Sequence, residues 1–131
     1  MRRLLPDGWL PGNACAHAYV GEDRDIAIFS GVRGSNPLTG ELEGQGLVQQ
    51  VARAAANVAA LIDAAAIPGR PLVHVRLHVR DHHAYATHIE AVTAILRRAL
   101  AGRDVSVTVV VAPRLIDPWA AVELDGVVAS R

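Results

Sequence analysis

Two residues of opposite charge near the C-terminal end carry the chemistry this chain offers: Arg103, directly before a long apolar run, and Glu123, inside another. A guanidinium holds a carboxylate through two parallel hydrogen bonds, so Arg103 is a candidate for gripping and orienting a carboxylate substrate. Its other reading is a cation favouring the negative end of the preceding helix. Glu123 alternates with Val122 and Leu124, which puts its carboxylate on the opposite face from theirs. There it either does general acid or base work or is an outward-facing strand residue. Ser30-Gly31 ends the apolar run from Ile26, and glycine there lets backbone approach a ligand closely. A plain strand-ending glycine is the alternative. Cys15 has His17 two residues on, on the same face of a strand, as a base-activated nucleophile would. A buried cysteine acting as a small hydrophobe is the alternative.

Composition removes several other chemistries. All 13 basic residues are arginine, so a pyridoxal phosphate Schiff base, a lysine-dependent aldolase and a P-loop lysine are excluded. The single cysteine forms no internal disulfide, and by itself neither a zinc site nor a redox pair. Metal is not expected from the six histidines either. His74 and His78, four apart on a strand, lie roughly 13 Å apart, and the adjacent His82 and His83 tend to point away from each other. The 13 basic and 13 acidic residues cancel, so nucleic acid and anionic lipid are not expected as partners. No run reaches the roughly 20 apolar residues of a membrane helix, and the N-terminus has no signal-length apolar stretch. A soluble cytoplasmic protein is the expectation.

With 131 residues, 51% of them hydrophobic, the chain is the size of one domain, residues 1–131, with an irregular Pro- and Gly-rich start at 1–13. Strands are expected at about 15–20 and 26–32. Leu47, Val51, Ala55, Val58, Leu61 and Ile62 then recur at helical spacing, predicting a helix over about 43–66 that Pro68-Gly69 stops. Val73, Val75, Leu77 and Val79 alternate with His74, Arg76, His78 and Arg80, a strand with one apolar and one polar face. Asp81 is placed to cap a second helix, roughly 83–101, and strands follow at 105–112 and 121–128. The order β-β-α-β-α-β-β, with two helices on one face of a mainly antiparallel sheet, is an α+β architecture resembling a ferredoxin-like repeat.

Several motifs in this order resemble the Rid family, the reactive intermediate deaminases of YjgF type. These are the strand ending Phe29-Ser30-Gly31, the turn Asn36-Pro37-Leu38-Thr39-Gly40, and Gln50 with Asn57 in the first helix. Val79-Arg80-Asp81 followed by Tyr85, the Ala101-Gly102-Arg103 segment and Val122-Glu123-Leu124 complete the set. The resemblance implies a homotrimer with a chorismate-mutase-like fold and active sites in clefts between subunits. It implies cofactor-independent hydrolysis of enamines or imines derived from amino acids, giving 2-oxo acids and ammonia. In it, Arg103 grips the substrate carboxylate, Glu123 handles water, and Ser30 and Gly31 line the pocket. The chain differs where the family has Gly-Pro-Tyr, here Asn13-Ala14-Cys15, and in a longer link carrying Ile116-Asp117-Pro118-Trp119. Cys15, His17, His88 and Trp119 are therefore the candidates for reshaping the cleft. Two alternatives stay open: a relative with a specialised catabolic or secondary-metabolite substrate, and a non-enzymatic, metabolite-binding trimer.

Overall fold

A computed structural model describes residues 1–11 and 17–131. Its six-stranded sheet runs, in spatial order, β1 (Arg2–Leu4), β2 (Ala18–Val20), β3 (Ile26–Arg33), β6 (Val122–Ala129), β4 (Leu72–Val79) and β5 (Asp104–Val111). All neighbouring pairs are antiparallel except β4 with β5. Helix α1 (Leu47–Ala65) connects β3 to β4, and α2 (His82–Ala99) connects β4 to β5. Since β6 lies between β3 and β4, the first crossover is the split βαβ unit of a ferredoxin-like repeat.

The alternating patterns act as the sequence suggests. Val73, Val75, Leu77 and Val79 are buried under the helices with Val122, Leu124 and Val128, while His74 and Arg76 stand exposed on the far face. Asp81 caps α2, its carboxylate accepting from the Ala84 amide at 3.1 Å. The 1–13 segment, expected to be irregular, contains β1, which pairs antiparallel with β2 and buries Leu4 in the core. Three residues are too few for periodicity to reveal. Helix α1 starts later than 43, after Gly46, because Glu43 is held in the preceding loop: its amide donates to the Gly34 carbonyl and its carboxylate pairs with Arg53.

Candidate functional site

The feature that builds the site is a β-bulge in β3. Phe29 pairs with Gly126 and Val32 with Leu124, so Ser30 and Gly31 together oppose Asp125 alone. Such an extra residue is accommodated by a glycine in left-handed backbone, and Gly31 has φ +61. Ser30 and Gly31 are therefore not a strand end but an irregularity within it. The insertion also reverses the parity of the strand. Ala27 and Phe29 face the core; unbroken alternation would send Arg33 there too, whereas Val32 is buried and Arg33 emerges half-exposed.

Arg33 thereby becomes the direct cross-strand partner of Glu123. Opposed Cβ atoms across an antiparallel pair lie about 4.5–5.5 Å apart, so the two side chains flank one small volume. Glu123 is half-buried, and a Cβ on Gly31 would stand 3.6 Å from its Oε1. These residues line a cleft of about 860 Å³ with His17, Asn57, Pro37 and, from the long link, Ile116, Asp117 and Pro118.

Helix α1 holds the walls of this cleft from below. Asn57 donates from Nδ2 to the carbonyls of Arg33 at 3.1 Å and Ser35 at 2.8 Å. Two turns earlier Gln50 donates to the carbonyls of Gly44 and Trp119 and accepts from the Ala121 amide at 2.7 Å. Both side chains are buried, and the hydrogen bonds account for their presence in an apolar helix. The 34–45 loop can lie this close only because Gly34 has no side chain: a Cβ there would come within 2.4 Å of the Gln50 carbonyl oxygen.

The long link is tied down on several sides. Asp117 accepts from Arg33 Nη1, and its Oδ1 accepts from the Trp119 amide at 2.9 Å. Arg80 donates to the Pro118 carbonyl and Gln50 to that of Trp119. The result displays Ile116, 99% exposed, and Trp119, 78% exposed.

The expected site residues are distributed unevenly over this arrangement. Gly31, His17 and Glu123 line the cleft. Ser30 sits exposed in the bulge, its amide donating to the His17 carbonyl at 2.8 Å. Trp119 lies beside the cleft rather than in its lining, its backbone carbonyl held by Gln50. His88 is exposed at a kink in α2, with φ −112 and ψ 19, and lines neither this cleft nor the groove described next. Cys15 lies outside the described residues.

Arg103 belongs elsewhere in the chain. It lines a groove of about 590 Å³ between α2 and β5, with Leu77, Leu96, Val105 and Val107 as apolar walls. Its guanidinium donates to Asp63 and to the Ala101 carbonyl just beyond α2, the second contact being the helix-end placement of its alternative reading. Asp104 instead pairs with Arg70 and Arg131. Arg103 precedes Asp104, which is level with Leu72 of β4, whereas Glu123 is level with His78. At about 3.3 Å per residue the two sit roughly 20 Å apart along the sheet, too far to share one small substrate within a single chain.

The residues that sequence reasoning missed are Arg33 and Asp117. Asp117 was visible as part of a long link near the cleft, but nothing marked its partner. Arg33 would have required foreseeing the bulge.

The chain matches the family model described as Endoribonuclease L-PSP over residues 13–130. No curated protein matches it. Among solved structures it is similar to the YjgF gene product of E. coli at 18% identity and a TM-score of 0.78, covering 100% of both chains. It is similar to RidA from the Antarctic bacterium Psychrobacter at 19% identity and a TM-score of 0.76, covering 98% of this chain and 100% of that one. E. coli TdcF with bound serine is 18% identical with a TM-score of 0.78, over 99% of this chain and 100% of that one. At these identities the likeness is one of fold.

Proposed function

We propose that this chain, which belongs to the Endoribonuclease L-PSP family of Rid or YjgF-type proteins, hydrolyses imines and enamines derived from amino acids. The observation that carries the reading is the Glu123 carboxylate beside the Gly31 bulge, in a cleft it shares with His17 and Arg33. Glu123 accepts a proton from a water as the water oxygen bonds to the imine carbon and the C=N pair moves to nitrogen. That proton passes to the nitrogen, giving a carbinolamine; Glu123 then takes the proton of the new hydroxyl and returns it to the nitrogen, which leaves as ammonia while the carbon–oxygen double bond of a 2-oxo acid forms. Holding the substrate by its carboxylate removes much of the entropic part of the barrier.

Arg103 is the guanidinium assigned to that carboxylate, and because of the 20 Å separation it reaches the cleft only from a second copy of the chain. A homotrimer with clefts between subunits is thus part of the proposal. Its support is the exposed apolar surface beside the polar network: Ile26, Ile28, Leu72 and Val127 lie uncovered on the outer sheet face. The serine in TdcF, a small molecule with carboxylate and amine on one carbon, fits the same reading. One observation favours the alternative of binding without turnover, namely that Arg103 is already engaged by Asp63 and Ala101.

The test is release of 2-oxo acid and ammonia from imines generated in situ by an amino-acid oxidase. The wild type accelerates release, and Glu123→Gln lowers the acceleration by about 10²–10⁴-fold, the span expected for a lost proton-transfer group. A folded wild-type protein that accelerates nothing removes the general hydrolase reading in favour of a specialised substrate or a binding role.

A further inference from the structure

We infer that Arg33 is a second anion site in the Glu123 cleft, and that the compound bound there carries an acidic group on its side chain in addition to the carboxylate on the reacting carbon. Four observations lead to it. Arg33 is the direct cross-strand partner of Glu123, and both residues line the same cleft. The bulge at Ser30-Gly31 is what turns it there; without the extra residue the same side chain would face the core. Asp117 engages Nη1 alone, and among the described residues the Arg33 side chain makes no other hydrogen bond. Finally, the side chain is 32% exposed and lines the cleft.

The consequence follows from guanidinium geometry. Five N–H donors are arranged as a planar fork, and a carboxylate uses one edge of it. Asp117, anchored through its other oxygen to the Trp119 amide, fixes the plane by one arm and leaves an edge for a second carboxylate. Asp117 is thus a positioning residue, and it explains why the long link reaches into this cleft. If Arg103 of a neighbouring copy takes the carboxylate on the reacting carbon, Arg33 takes the one on the side chain. The substrate class is then the imine or enamine of an acidic amino acid, and the product a dicarboxylic 2-oxo acid. This rests on the hydrolase reading for the reaction, but not for the binding.

Binding of stable products separates the two. Calorimetric titration with 2-oxoglutarate and with 2-oxobutyrate compares a diacid with a monoacid, free of turnover. The wild type binds the diacid more tightly by about tenfold, the worth of one partly exposed charge-assisted pair. Arg33→Gln abolishes that difference, and Arg33→Lys, which keeps the charge without the fork, retains part of it; circular dichroism confirms that both variants fold. Equal affinity for the two acids in the wild type, or a diacid preference that survives Arg33→Gln, overturns the inference. Diacid preference through Arg33 without imine hydrolysis leaves the inference standing and removes the hydrolase reading. Hydrolysis with no diacid preference does the reverse.

Discussion

Gly31 shows how one residue type serves both backbone and chemistry. Its left-handed φ is disfavoured for any L side chain, and an added Cβ would sit in van der Waals contact with Glu123 Oε1. Gly31→Ala should therefore cost about 1–2 kcal/mol of stability, read by urea denaturation, through backbone strain at the bulge. Glu43 supports the loop opposite. The hydrogen bond from Arg53 holds its carboxyl below the ordinary value of 4.5. A depressed folded value means that the stabilisation is present above the unfolded value and is lost as pH falls through the folded one. The melting temperatures of wild type and Glu43→Gln should accordingly converge as pH drops below about 4 and differ, with the wild type higher, at neutral pH. Glu123 and Gly31 were legible in the sequence because alternation and the Ser-Gly pair mark them. Arg33 was not, since period-two counting sends it to the wrong face and only the bulge corrects this.

At the scale of elements, α1 is the scaffold of the cleft as well as a wall of the core. Its apolar stripe predicted burial, and the two polar residues within it stood out as a family feature without a stated task. The task is to satisfy loop backbone: Gln50 meets three groups across the 44 and 119–121 segments, and Asn57 meets two at the end of β3. Gln50→Ala leaves the buried Ala121 amide without a partner and unties the Gly44 and Trp119 carbonyls, which should cost about 1–3 kcal/mol, with the larger effect on the 112–121 link. Faster amide exchange in that link than in α1 itself is the expected signature. The order of elements from β2 onward along the chain, with both helices, was readable from local pattern, whereas β1 was too short to be, and the ties on the long link involve residues far apart in sequence that no local pattern connects.

The whole molecule, taken as one copy, leaves its chemistry divided. Glu123 and Arg33 sit at one end of the sheet, Arg103 roughly 20 Å away at the other, and apolar residues lie bare between and around them. The proposed trimer would resolve both features, and on that reading light scattering should give a mass of three times 13.9 kDa. A charge in the outer apolar patch, Ile28→Asp or Val127→Asp, should shift that mass toward one copy and abolish activity together with it. Among the described residues no helix is long and apolar enough to cross a membrane. The most direct test of a shared site is complementation between two inactive variants. Glu123→Gln and Arg103→Ala, each inactive alone, should recover about a quarter of wild-type imine hydrolysis when co-expressed in equal amounts, because that share of interfaces pairs the two intact residues. No recovery from well-folded mixed trimers, or full activity in Arg103→Ala alone, would contradict a site built across the subunit boundary.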